Sequence, residues 1–162
     1  MRKIDTLRAA ITAALPELAQ NPDRLRIWIE RGAAQCRDTR TEAFGFAYQA
    51  NVLIVEMASD IAVLALAIFR WQRVNQPHLL APGKDGFSFD VDILDNKCAD
   101  VLLQIQIEEN VTVTPVEGGG SQLAYLPEPD PLFDDDLGLG DTDPIPLLTG
   151  VEVAEDLPPW DD

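Results

Sequence analysis

In 162 residues this chain has one histidine, two cysteines and two methionines, and beyond Lys97 it has no lysine or arginine at all. Each shortage excludes something. With His78 alone, any histidine-based proton transfer or metal centre would rest on a single turn residue beside Pro77. Cys36 and Cys98 lie far apart in the chain and match no metal-ligand spacing. They read as reduced thiols of a cytosolic protein rather than as a structural disulfide. No Walker loop, nucleophile elbow, HExxH or CxxC occurs. The run Gly118–Gly120 is no phosphate loop, because no lysine follows it and no helix opens after it. The longest apolar run, IAVLALAIF, has nine residues where a bilayer span takes about 20. No charged-then-apolar leader opens the chain, so an exported protein is not expected.

The missing basic residues are the most informative absence. Residues 1–97 hold 12 Lys+Arg and 12 Asp+Glu, whereas residues 98–162 hold 16 acidic residues and no basic ones. The entire net charge of −16 therefore sits in the second part, as an acidic tail appended to a neutral domain. Phosphate contacts need clustered Lys and Arg, so neither a specific nucleic-acid ligand nor an anionic membrane surface suits this chain.

What is present reads as one domain. Ile4, Leu7, Ile11 and Leu15 recur at spacings of three and four, predicting an amphipathic helix that Pro16 ends or restarts as PELAQ. In RLRIWIER, Leu25, Ile27 and Ile29 alternate with Arg24, Arg26, Trp28 and Glu30, which predicts a half-buried strand. AFGFAYQANVLIVEM is a longer strand rich in aromatic and β-branched residues, with Gly45 a candidate bend or bulge. A helix over about 60–74, capped by Ser59 or Asp60, is apolar nearly all round and should be largely buried.

Asn75 and Pro77 end that helix, and GFSFDVDIL and ADVLLQIQIEENVTVTPV alternate as strands, the second with a candidate break near Glu109 and Asn110. After the glycine run, SQLAYL can pair back as a short last strand. The expected fold class is α+β: a mostly antiparallel four- to five-stranded sheet, two main helices packed on one face, and an acidic Pro-rich C-terminal extension. The domain spans 1–126 and the extension 127–162, whose 36 residues include seven prolines and 12 acidic residues.

No catalytic or metal-binding residue and no cofactor emerges from this pattern. DDDLGLGDTD, from Asp134, has the composition of a calcium loop, but Leu139 and Ile145 stand where its glycine and its final glutamate should be. Asp90 and Asp92 share one strand face, as solvated strand carboxylates commonly do. Trp28 on a charged strand face marks a candidate interface. Arg24, Arg26 and Arg31 flank it, and Leu132, Phe133 and Trp160 dot the acidic extension, so these residues form the candidate subunit-interface set. From the residues alone the chain is an assembly or adaptor protein, or an acidic DNA-mimic inhibitor of a host factor.

LRAAITAALPELAQNPDRL, RVNQPHLL, KDGFSFDVDILDN and LPEP occur here in that order, within residues 1–129. Together they resemble the tail completion protein family (GpR) of P-two-like contractile-tailed phages. The turn residues Asn75, Gln76, Pro77, Asp85, Gly86 and Phe87 are the most specific part of the match. The resemblance implies a non-enzymatic terminator that caps the head-proximal end of tail tube and sheath and prepares head–tail joining. It further implies a homo-oligomeric ring, with six subunits as the expectation. Partners would be the tube and sheath proteins and a second completion protein or head–tail connector. By the same resemblance DNA would pass through such a ring without specific binding, and no membrane would be involved. The expected location is the host bacterial cytoplasm during assembly and then the neck end of the virion tail.

Overall fold

The computed structural model describes residues 1–36 and 39–128. Helix α1 (Arg2–Ala14) is followed by the short α2 (Pro16–Gln20) and a 3-10 turn at Pro22–Arg24. Strands β1 (Leu25–Cys36) and β2 (Phe44–Met57) precede α3 (Ile61–Asn75), and a second 3-10 turn, Pro77–Leu80, leads towards β3 (Ser88–Ile93). Strands β4 (Ala99–Val116) and β5 (Gly120–Tyr125) complete an all-antiparallel sheet ordered β1-β2-β4-β3, with β5 also paired to β4. Val111 of β4 pairs with Phe44 of β2 and with Tyr125 of β5, so β5 lies on the same side of β4 as β3. The fold class is the expected α+β one.

Alternation dictates how the sheet meets its helices. Even-numbered residues of β2 and odd-numbered residues of β4 point one way, and there Ala50, Val52, Ile54, Val101, Leu103, Ile105 and Ile107 are fully buried. Against them α1 sets Leu7 and Ile11 and α3 sets Leu64, Ile68 and Trp71, also without exposure. Burying each such side chain is worth about 1.5–3 kcal/mol, and these shared rows hold the two layers together. Trp71 buries its ring and donates its indole N–H to Thr6 Oγ1 of α1 at 2.9 Å, tying the two main helices. The other sheet face carries no helix and is polar: Gln106 donates to Gln49 at 3.2 Å, Gln49 to Asn51 at 3.1 Å, and Ser88 to Gln104 at 2.9 Å.

Three expectations need correction. Strand β4 runs unbroken through Glu109 and Asn110, because Glu109 points inward and finds a donor at the start of α1. Gly45 is no bulge: it stays in register opposite Asn110, whose Oδ1 would lie 2.8 Å from an added Cβ. The register shifts fall instead between Ile29 and Arg31 and between Ile54 and Met57. Helix α3 is buried on one side only, since Ala62, Phe69 and Arg70 face solvent. Apolar content overstated its burial because the sheet beneath it covers a single face.

Short polar contacts fix the joints. Asp60 caps α3 by accepting from the Ala62 N–H at 2.7 Å. Ahead of it, the Glu17 carboxylate of α2 accepts from the N–H groups of Ala58 (3.1 Å) and Ser59 (3.0 Å) and from Ser59 Oγ (2.9 Å). Partial burial works against its charge, but the hydrogen bonds from its own backbone, Ser59 and Ala58 outweigh that and hold its pKa below the ordinary 4.5. A carboxylate lowered in the folded state stabilises above its unfolded pKa, and that contribution is lost as pH falls through the folded value. Glu17→Gln should therefore lower the denaturation midpoint at pH 7, and its deficit against the parent should shrink as pH is taken well below 4.5. Urea unfolding across pH checks this, and a deficit that stays constant contradicts it.

Candidate interaction surfaces

The motif turn is a structural joint. Asn75, the last residue of α3, donates from Nδ2 to the Trp71 carbonyl at 3.0 Å. Gln76 is fully buried; its N–H closes α3 on the Gln72 carbonyl at 2.7 Å, and its Nε2 reaches the Glu108 carbonyl of β4 at 2.8 Å. Pro77 then opens the 3-10 turn in which His78 is exposed and Leu79 is buried. Asp85 is exposed. At Gly86 the chain crosses α3 so closely that an added Cβ would lie 2.7 Å from Phe69 Cε1 and 2.8 Å from Gln72 Oε1. Gln72 Nε2 holds the Gly86 carbonyl at 2.6 Å, and Phe87 stacks at 5.2 Å on Phe69, delivering the chain into β3.

A buried polar cluster sits under the first turn of α1. Lys3 donates its backbone N–H to Glu109 Oε1 at 2.5 Å and its ammonium to the Glu108 carbonyl at 2.7 Å and to Glu128 Oε1 at 2.5 Å. Burial first, and then the nearby charge of Glu109, push the Tyr48 hydroxyl well above its usual range. Sequence reasoning missed this cluster, although the in-phase glutamate at 109 was a usable signal: it falls where the alternation of β4 calls for an apolar residue.

On the helix-free face, Arg26, Trp28 and Arg31 lie along β1, and Trp28 is 43% exposed. Trp28 and Arg31 would face opposite ways in a regular strand. The irregularity between Ile29 and Arg31 adds one residue, so Trp28 opposite Asn51 and Arg31 opposite Gln49 share a face. Arg24 is committed elsewhere: it pairs with Glu56 Oε2 at 2.8 Å and reaches the Glu56 carbonyl at 3.3 Å. Glu56 has a φ of 50° at the second irregularity, where Asp100 accepts its N–H at 2.8 Å, so Arg24 serves that bend. Leu132, Phe133, Trp160 and the Asp134–Asp143 run lie outside the described residues.

The sequence reading singled out Asp90 and Asp92 of β3 as solvated carboxylates but not its apolar face. Asp90 and Asp92 face the helix-free side, while Phe89 (54%), Val91 (41%) and Ile93 (76%) are exposed on the helix side, where α3 does not reach. Neither Cys36 nor Cys98 forms a disulfide, and the Cys36 thiol donates to the Ala43 carbonyl at 3.5 Å. Among the described residues no group of three or more His, Cys, Asp or Glu is placed to hold a metal, and no helix is long and apolar enough to cross a membrane. A pocket lined by Gln35, Gly45, Phe46, Ala47, Glu108 and Asn110 has room for about one water, at about 10 Å³.

Among the described residues, the distinctive ones thus serve packing or stand on open surfaces. Residues 1–129 match the sequence profile of P2 phage tail completion protein R (GpR), and the chain belongs to that family. It is 30% identical over 137 residues to tail completion protein R of Escherichia phage P2, an alignment covering 82% of this chain and 88% of that protein. No solved structure gives a significant match. The family is one of structural tail proteins.

Because Gly86 touches Phe69 and Gln72, Gly86→Ala should cost about 1–3 kcal/mol by overpacking. Gly83→Ala is its control for glycine loss in the same loop: Gly83 has a φ of 79° and open space around it, so its penalty is backbone strain alone. Chemical denaturation compares the two, and a Gly86→Ala chain as stable as the parent would contradict the close approach.

Proposed function

We propose that this chain is a terminator which binds the head-proximal end of tail tube and sheath, stops their growth and readies the tail for the head. It works as a ring of identical subunits, six being the expected number. The observation that carries this reading is the match to a tail completion family over residues 1–129, whose described residues fold here as one helix-backed sheet. A ring closes only through heterologous contacts, in which one patch meets a different patch on the neighbour. This fold offers two dissimilar patches, the Arg26–Trp28–Arg31 face of β1 and the apolar-and-acidic β3.

Beyond Glu128, which is held by Lys3, the acidic extension (127–162) fits a segment that leaves the ring and orders on a tube or sheath subunit. Its Leu132, Phe133 and Trp160 would be apolar anchors spaced along a charged ribbon. The high negative charge also suits a ring through which DNA passes without sticking. Partners on the far side would be a second completion protein or the head–tail connector. The protein would assemble in the host cytoplasm and remain at the neck of the virion tail.

Negative-stain imaging of tails assembled with and without the protein tests this reading. Rings seated on the head-proximal end are expected, with heads left unjoined in the protein's absence. Tails that end cleanly and join heads without the protein would overturn it.

A further inference from the structure

The sheet ends in β1 on one side and in β3, with β5 further along β4, on the other, and the chemistry of β1 and β3 is unlike. Among the described residues no strand pairs with the outer side of β1 or of β3, so both present unpaired backbone groups along their length. On β1 the helix-free face carries Arg26 and Arg31, exposed and in no ion pair among the described residues, with the one carboxylate between them, Glu30, accepting from Asn51. On β3 the same face is acidic, with Asp90 and Asp92 equally exposed and likewise unpaired there. The helix-side faces match in another way. Ile27 and Ile29 of β1 are only partly buried, while Phe89, Val91 and Ile93 of β3 are uncovered.

We infer that copies of this chain join by adding the β3 edge of one to the β1 edge of the next, so that the five-stranded sheet continues from subunit to subunit. This rests on the ring reading above and deepens it by naming the contact.

The directions agree. Strands β1, β2, β4 and β3 alternate in direction across the sheet. A neighbour brought alongside without being turned over therefore sets its β1 antiparallel to β3. The faces agree too, since helices stay on one side. Arg26 and Arg31 then run beside Asp90 and Asp92 on the helix-free face, and Ile27 and Ile29 cover Phe89, Val91 and Ile93 on the other. Charge also selects against the alternatives. Joining β3 to β3 would set aspartate against aspartate, and joining β1 to β1 would set arginine against arginine, both unfavourable across neighbouring strands. Only the unlike pairing is complementary, and an unlike pairing is the head-to-tail kind that builds a ring where its rotation closes, rather than a two-fold dimer. The competing occupant of the basic β1 face is the acidic extension beyond residue 128 of the same or a neighbouring chain.

The test is a charge exchange read by light scattering after size exclusion, at fixed ionic strength and over a range of protein concentrations. The full chain is expected to self-associate. D90R/D92R and R26D/R31D should each lower the association constant at least tenfold while keeping the parent circular dichroism spectrum. Mixing the two variants should restore association, because each then offers the other one complementary edge at both contacts. A chain ending at Glu128 should still associate. A parent monomeric throughout, variants that associate as the parent does, or a mixture that fails to recover would overturn the proposal. So would loss of association on truncation alone, which would assign the basic face to the extension. The capping reading falls separately, on whether tails without the protein join heads.

Discussion

A carboxylate buried at the start of a helix constrains the rest of this structure. Glu109 points from the middle of β4 into the protein, 2% exposed, and its Oε1 accepts the backbone N–H of Lys3 in the first turn of α1. That turn has N–H groups with no partner inside the helix and carries the positive end of its dipole, so an anion is suited to it. A buried carboxylate is costly unless donors meet it. The Lys3 N–H is the donor that Oε1 has, while Oε2 has no partner among the described residues, so this one bond ties the start of α1 to the sheet. The Lys3 ammonium, 7% exposed with the rest of its residue, extends the same joint to the Glu108 carbonyl and to Glu128. Gln76, at the end of α3, donates to that carbonyl as well. Both main helices are therefore registered against one point on β4, between the stretches where β3 and β5 pair. Leu7 and Ile11 follow from the position of Lys3, and Ile68 and Trp71 from that of Gln76.

The joint also explains which parts of the sheet are left open. With both helices centred over β2 and β4, the flanking strands are covered poorly or not at all. Strand β1 keeps only Leu25 fully inside, and all six residues of β3 are exposed. Exposed edge strands are ordinarily a hazard that proteins blunt with charge. Here the blunting charges differ in sign at the two ends of the sheet, which discourages like-to-like pairing and leaves one complementary match. Fold and assembly reading thus share a cause: what the helices cannot reach is what remains for other chains.

Much of this was legible in the sequence. The spacing of Leu7 and Ile11, the alternation of Val101 to Ile107 and the Asp60 cap gave elements within a few residues of those observed. The Asn75–Gln76–Pro77 and Asp85–Gly86–Phe87 pieces were legible only as a motif, and their contacts with β4 and α3 show what they hold together. What stayed hidden depends on the third dimension. Glu109 resembled a break in β4 because its partner, Lys3, lies 106 positions away. The extra residue between Ile29 and Arg31 sets Arg31 beside Trp28, and nothing local announces it. The exposure of Phe89, Val91 and Ile93 ran against their alternation, since a pattern shows which face is apolar but not whether a helix covers it.

The central claim is that the two sheet edges are open in the free chain and closed in the assembly. Amide hydrogen exchange on the isolated chain and on protein incorporated into tails measures this strand by strand. The account predicts slow exchange in β2 and β4 in both states. It predicts fast exchange at the outward-pointing amides of β1 and β3 in the chain diluted to monomer, and strong protection of them after incorporation. Edge amides already protected in the isolated monomer, or still unprotected in the finished tail, would contradict it.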